Sequence, residues 1–168
     1  MANICTFKMV VRGTKENIVG LLRELQCYDL REFKPTTVAG DEITFPVMGE
    51  TRWSVTSSMI TPANGASLKD LSAKYSVEVE VFGYDMSEPE WIEHFHYDKG
   101  TAIKEYNLPA WFEGWQIEEG EIEVDTSKYK YNEDADVYSL KKEFAEPFTW
   151  DEEKEDMIVT FDMLPDLS

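Results

Sequence analysis

Hydrophobic and polar residues alternate at the start of the chain and then change period. Four apolar side chains of the alternating stretch share one face, which is typical of a half-buried strand: Cys5, Phe7, Met9 and Val11. Thr14 then offers a good helix N-cap, and Glu16 suits the positive end of a helix dipole. Apolar residues follow at positions 18, 21, 22 and 25. This spacing predicts an amphipathic helix over roughly residues 15–26.

The next part of the chain gives mixed signals. Residues 29–41 show no period, and EITFPV predicts a short strand that Pro46 places at a sheet edge or a strand end. The stretch TRWSVTSSMI predicts a longer strand, with Trp53, Val55 and Met59 on one face. Ser67 then predicts the N-cap of a second helix, because Asp70 stands where a capping box places its acid.

A strictly alternating strand and a hairpin complete the regular part. In VEVEVFGY the valines are predicted to face inward, and Glu78 and Glu80 to face solvent. EWIEHFHY and TAIKEY flank DKG, which predicts a hairpin turning at Gly100. The predicted order is β-α-β-β-α-β-β. That order indicates a ferredoxin-like α+β fold, an antiparallel sheet with two helices on one face.

The signals are weaker after residue 107. We expect a short helix around Trp111 and Trp115, a tight hairpin at Gly120, a helix capped by Asn132 and a last strand in MIVTFDML. No Gly/Ser/Pro linker precedes this stretch. We therefore predict one domain over residues 1–168: a ferredoxin-like core in 1–106 and an acidic C-terminal elaboration in 107–168 that packs on it.

Roughly residues 1–106 resemble the YubB-type ferredoxin-like family of plasmid, phage and other mobile-element proteins. The resemblance rests on GETRWSV at 49–55, on TPANGASLKDLSAKYSVEVEVFGYDM at 61–86 and on the hairpin that closes at DKG. The matching positions are Gly49, Trp53, Pro62, Leu71, Ser72, Tyr75, Tyr84 and Gly100. The chain departs from the family pattern in two places. The loop after the Trp strand has one proline instead of a pair, and the strand there lacks a second tryptophan. The resemblance implies a fold and a mobile-element setting, and it supplies no catalytic residues.

Composition narrows the classes of function. The 168 residues carry a formal net charge of −18, which argues against direct nucleic-acid binding and against an anionic membrane surface. Two cysteines without CxxC spacing, and no signal peptide or apolar run of about 18 residues, predict a cytoplasmic protein without disulfides. The acidity is uneven, because residues 101–168 hold 6 basic and 19 acidic residues.

The two histidines, His94 and His96, form a candidate metal pair. Residues two apart on a strand point the same way, so both could contact one ion, with Asp98 on the same face. Trp91, Phe95 and Tyr97 would then occupy the opposite, buried face. We favour the plain explanation, in which the histidines lie on the solvated face of a strand, over the metal site.

Other catalytic patterns give no specific signal. Cys5 lies on an apolar face and is predicted to be a small buried hydrophobe. Among 34 acids no catalytic pair stands out, and no phosphate-binding, dinucleotide-binding, nucleophile-elbow or calcium-loop motif is present. We expect no cofactor and lean against an enzyme.

The acidic C-terminal part supplies the favoured hypothesis, a non-enzymatic protein-interaction module. On a strand, four acids would point one way and imitate nucleic-acid charge towards a basic or nucleic-acid-binding host protein: Glu119, Glu121, Glu123 and Asp125. Trp111 and Trp115 would add aromatic contacts. A merely solvated surface is simpler than mimicry. The alternatives are a small molecule or peptide bound on the open sheet face near Trp53, Trp91 or Tyr84, and a metal-dependent enzyme using His94 and His96.

Overall fold

In a computed structural model, residues 4–52, 55, 67–85 and 91–163 are described. The chain divides into two compact units. The first unit comprises residues 1–85 and 93–107, and the second comprises residues 86–92 and 108–168.

Seven strands form the large sheet. They are β1 Ile4–Thr14, β2 Tyr28–Glu32, β3 Thr36–Ala39, β4 Glu42–Arg52, β5 Glu78–Asp85, β6 Trp91–Asp98 and β7 Thr101–Pro109. The strand order is β2-β4-β1-β5-β6-β7, and β3 also pairs with β4. β1 is antiparallel to both β4 and β5, so the longest strands form the centre of the sheet.

Among the residues that the structure describes in full, two helices contribute to the core of the first unit. The first, α1 Lys15–Arg23, begins at Thr14, whose hydroxyl accepts from the Asn17 N–H. The second, α2 Leu68–Lys74, begins with the predicted capping box of Ser67 and Asp70. The core cluster joins apolar residues of both helices to one face of β1, β5 and β6: Phe7, Met9, Val11, Ile18, Leu21, Leu68, Leu71, Val79, Val81 and Phe95 are among its members.

The second unit contains two small sheets. Its elements are β8 Trp111–Glu113, α3 Gly114–Glu118, a 3₁₀ turn Thr126–Lys128, β9 Tyr129–Asn132, β10 Val137–Leu140, α4 Lys142–Ala145, β11 Phe148–Asp151 and β12 Asp156–Val159. β8, β10 and β9 form one sheet, and β11 and β12 form the other. Phe112 is fully buried between the rings of Tyr129 and Tyr138, whose centroids lie 4.7 and 4.9 Å from its own.

The predicted ferredoxin-like α+β sandwich is wrong for this chain. In the part of the chain that the structure describes, the fold is mostly antiparallel β, with 53% strand and 21% helix; a large multi-strand sheet dominates it, and the ferredoxin-like two-helix layout is not present there. Part of the error lies in residues 29–41, which were predicted to be irregular and form β2 and β3. Their side chains are nearly all exposed, so no hydrophobic period marks them. Backbone pairing with β4 holds them in place.

Several local predictions also need correction. Pro46 lies inside β4, which has neighbours on both sides, and its carbonyl accepts from the Phe33 N–H. No hairpin forms at Gly120, because α3 ends there and residues 122–125 are irregular. Asn132 ends β9 and caps a turn by accepting from the Asp134 N–H, and no helix follows. The strand predicted over residues 51–60 lies largely outside the described residues, and Trp53 and Met59 with it.

Candidate functional site

The site with the most defined geometry is a group of four side chains on β5 and β6, the histidine–glutamate cluster: Glu78, Glu80, His94 and His96. Side chains alternate across a strand, so these even-numbered residues share the face opposite the core cluster. β5 and β6 are neighbours in the sheet. Two acids and two imidazoles are therefore held side by side by rigid backbone.

The cluster consists of two close histidine–carboxylate pairs. His94 Nε2 lies 2.6 Å from Glu80 Oε2, and both side chains are fully buried. His96 Nε2 lies 2.8 Å from Glu78 Oε2, in a less buried position. Removing such groups from water costs several kcal/mol per charge unless they are paired, so the pairing is what makes this burial tolerable.

Neighbouring side chains fix the orientation of both pairs. The Phe82 ring stacks on the His94 imidazole with centroids 3.9 Å apart, and the Tyr106 hydroxyl lies 3.4 Å from His94 Nδ1. An Arg12 N–H donates to Glu78 Oε1 over 3.1 Å. The guanidinium thereby balances the charge of the carboxylate that contacts His96.

One ring nitrogen of the cluster stands out. Within the described part of the chain, His96 Nδ1 is the one buried side-chain nitrogen or oxygen without a hydrogen-bond partner. His96 itself is only 5% exposed. A ring nitrogen of His96 and a carboxylate oxygen of Glu80 also lie within 4.8 Å of one another. The His96 imidazole and the Glu80 carboxylate are therefore close enough to face the same ligand.

The expectation that the histidines and glutamates face solvent is wrong. His94 and Glu80 are fully buried, and His96 nearly so. Alternation shows that a strand has two faces, but it does not tell whether the second face is also covered. Asp98, the third member of the predicted metal set, is exposed at the end of β6. The hairpin itself is confirmed, with Lys99 and Gly100 at positive φ in its turn.

On the other face of β6, Glu93 forms a buried network that the sequence did not reveal. Its Oε2 accepts from the Val55 N–H at 2.7 Å and lies 3.7 Å from Cys5 Sγ, and its Oε1 accepts from the Asn107 amide at 2.7 Å. Burial, and then the nearby Glu93 charge, raise the pKa of the Cys5 thiol far above its ordinary value. Cys5 is therefore a buried core thiol, as predicted.

The predicted acidic residues are exposed but do not form a strand ladder. Residues 118–125, here the acidic segment, run from the end of α3 into an irregular stretch. Glu119, Glu121, Glu123 and Asp125 are all exposed. Asp125 also caps the 3₁₀ turn, and the Ser127 hydroxyl and N–H that donate to it lower the pKa of its carboxyl group.

The two predicted aromatic residues lie in different elements. Trp111 is half-buried in β8. Trp115 lies in α3 and is 42% exposed, and its indole N–H donates to the Glu113 carboxylate. Trp115 is therefore the accessible aromatic ring that adjoins the acidic segment along the chain.

The sheet face that was predicted to be open is closed. Three of its central side chains, Val10, Phe82 and His94, are fully buried, and so is most of Tyr84. The first unit instead has an apolar groove of about 430 Å³ beside α1. Its lining residues are Lys15, Ile18, Val19, Leu22, Glu32, Pro35, Ile43 and Phe45.

Comparisons of this chain with protein-family models, with curated proteins and with solved structures found no match. The resemblance to the YubB-type family therefore stays a prediction. Among the described residues, no helix has both the length and the apolar character needed to cross a bilayer.

Proposed function

We propose that this chain is a non-enzymatic interaction protein that binds a basic surface of a host protein through its acidic segment and Trp115. The observation that carries the proposal is the exposure of Trp115 close in sequence to three exposed acids, Glu118, Glu119 and Glu121. Aromatic rings and complementary charge are the usual components of a protein-binding patch.

The charge of this part of the chain supports a basic partner. With 6 basic and 19 acidic residues, positions 101–168 carry a net charge of −13. Such a surface speeds encounters with positively charged proteins and repels nucleic acid. A nucleic-acid-binding host protein is the partner class that meets this requirement best. The acids do not lie along one strand, so they do not imitate the regular spacing of nucleic-acid phosphates. The partner would instead recognise a negatively charged patch with one exposed aromatic ring.

The test compares three baits in captures from bacterial lysate, followed by measurement of the affinity for the retained protein. In the patch variant, Glu118, Glu119, Glu121 and Glu123 are changed to Gln. The control variant changes four exposed acids elsewhere in the second unit to amides: Glu133, Asp134, Glu152 and Glu153. Both variants lose four charges, so they differ only in where the charge was removed.

We expect the patch variant to bind the retained basic protein at least tenfold more weakly than the wild type. The affinity of the control variant should fall less than threefold. Trp115→Ala should weaken binding without a change in net charge. Equal losses in both amide variants would show that only total charge matters. Retention of no basic protein by the wild type would contradict the proposal itself.

The apolar groove beside α1 favours a second candidate function, the binding of a small apolar molecule. Its volume falls within the range of ligand pockets, and its lining is mostly aliphatic. A fluorophore such as anilinonaphthalene sulfonate, which binds apolar surfaces, should bind the wild type, and Val19→Asp should abolish this binding. Val38→Asp, at an exposed position of β3 outside the groove, serves as the matched control. Equal binding to all three proteins would exclude the groove.

A further inference from the structure

The histidine–glutamate cluster has the composition of a metal site. It combines two imidazoles with two carboxylates on neighbouring strands, and it is buried. Nitrogen and oxygen donors of this kind suit zinc and other first-row divalent cations better than calcium or magnesium, which prefer oxygen ligands alone. We propose that His94, His96 and Glu80 bind a divalent transition-metal ion, with zinc as the first candidate.

The hydrogen bonding of His96 points to a ligand. A neutral imidazole that donates its Nε2–H to Glu78 leaves Nδ1 as a bare lone pair. That nitrogen is buried and unpartnered within the described residues. With a proton on Nδ1 as well, the ring would instead hold a buried donor without an acceptor, which is unfavourable. A metal ion on Nδ1 removes the unsatisfied nitrogen in the neutral tautomer.

Glu78 and Arg12 serve as positioning residues. Metal-bound histidines usually donate their other N–H to a carboxylate, which fixes the tautomer and strengthens the ligand. Here Glu78 Oε2 lies 2.8 Å from His96 Nε2, and an Arg12 N–H donates to the other oxygen of Glu78 over 3.1 Å. This is the arrangement expected behind a metal ligand.

Glu80 and His96 lie almost close enough to share an ion, whereas His94 must reorient to join them. Zinc lies about 2.0–2.2 Å from nitrogen and oxygen ligands, so two ligand atoms on one ion are at most about 4 Å apart. The Glu80 and His96 atoms are within 4.8 Å. His94 Nε2 is already 2.6 Å from Glu80 Oε2 and must move outwards when an ion replaces the hydrogen bond between them. Because the cluster is buried, the ion's role is to hold β5 and β6 together rather than to activate a substrate.

The decisive variant is His96→Gln. Glutamine can place its amide nitrogen near the position of Nε2 and keep the hydrogen bond to Glu78, while the Nδ1 ligand is lost. Chelator-treated protein is dialysed against zinc, and bound metal is counted by elemental analysis. Asp98→Asn is the matched control, because Asp98 lies on the same strand but is exposed. The patch variant controls for zinc held weakly by surface acids.

We expect one zinc ion per wild-type chain, and an affinity at least tenfold lower in His96→Gln and in Glu80→Gln. Asp98→Asn should bind like the wild type. Equal zinc binding by wild type and His96→Gln would overturn the proposal, as would no binding by the wild type.

A second measurement does not depend on whether the variants fold. The chain has two histidines, so nitrogen-15 spectra of the imidazole rings report directly on the cluster. Zinc should shift His96 Nδ1 strongly and leave Nε2 protonated. Ring signals that do not change with zinc would show that the cluster is only a pair of buried hydrogen bonds.

Discussion

At the residue scale, Glu93 accepts hydrogen bonds from distant residues that no sequence pattern predicts. A carboxylate has two acceptor oxygens and no donor, and here both oxygens accept hydrogen bonds although Glu93 is buried. Val55 N–H and the Asn107 amide donate to different oxygens. A Cβ on Gly83 would lie 2.6 Å from Glu93 Oε2, so a glycine is needed to admit the carboxylate.

We predict that Glu93→Gln destabilises the chain although the side chain keeps its size. One of the two oxygens becomes an NH₂ group, which faces another donor and leaves a buried hydrogen bond unmade. The expected loss is about 2 kcal/mol in the free energy of unfolding, measured by urea denaturation. Glu32→Gln, at an exposed position of β2, should change stability by less than about 0.5 kcal/mol. Similar values for the two variants would mean that the network contributes nothing.

The two cysteines should differ in reactivity. Burial raises the pKa of both thiols, but Cys5 is 1% exposed and contacts Glu93, whereas Cys27 is partly exposed. Because the thiolate is the reactive form, a higher pKa means less reaction at pH 8. In native protein a thiol reagent should modify Cys27 slowly and Cys5 only after urea is added. Mass mapping of the labelled site checks this, and prompt labelling of Cys5 without urea would contradict it.

At the scale of single elements, the N-cap of α2 provides a pH-dependent contribution. In the capping box the Ser67 N–H donates to the Asp70 carboxylate, and the Ser67 hydroxyl accepts from the Asp70 N–H. The backbone N–H of Ser67 first, and its side chain second, lower the pKa of the Asp70 carboxyl group. A depressed folded-state pKa means that the stabilisation is present above the unfolded value of about 3.9 and is lost as pH falls through the folded value.

We therefore predict that Ser67→Ala moves the pKa of Asp70 back towards its ordinary value and frays the first turn of α2. The pKa can be followed by carbon-13 NMR of the carboxyl group between pH 2 and 6. Lys69→Ala is the comparison, because it keeps both hydrogen bonds and removes only the nearby positive charge, the smallest of the causes that lower the Asp70 pKa. An unchanged Asp70 pKa in Ser67→Ala would show that the Ser67 hydroxyl does not contribute to the lowered pKa, and that the retained N–H at position 67 accounts for it.

The elements that could be predicted are those whose signals are local. Thr14 and the Ser67–Asp70 box start α1 and α2 as predicted, because a cap is a contact within three or four residues. The inward valines of β5 are confirmed for the same reason, since alternation alone defines a face.

The parts that could not be predicted depend on distant contacts. β2 and β3 are exposed edge strands that exist through hydrogen bonds to β4, and no residue in them marks that pairing. Only the two histidines of the candidate metal site could be predicted, because the spacing of His94 and His96 is visible in the sequence. Glu78 and Glu80 could not be predicted as part of the site. The pairing of β5 with β6, and the burial of their second face, depend on the whole sheet and not on local sequence.

At the scale of the whole molecule, the net charge of −18 lowers the free energy of unfolding, and added salt should reduce this loss. Excess charge of one sign repels itself in the compact state, and at 0.1 M salt charges more than about 10 Å apart are largely screened. We predict that the urea midpoint rises between 10 and 300 mM NaCl. A gain of about 1 kcal/mol would move it by about 0.5 M for m near 2 kcal/mol/M.

The two amide variants separate this global effect from the proposed local one. Each lowers the net charge from −18 to −14 by removing four acids, so both should show the same weaker dependence of the urea midpoint on salt. Binding to a basic partner should differ between them, because only one alters the surface beside Trp115. If the variants differ in their salt-dependent stability but bind the partner equally, then local repulsion within residues 118–125 has been relieved and the acidic segment is not a binding site. If they match in stability and differ in binding, the position of the acids, rather than their number, determines partner recognition.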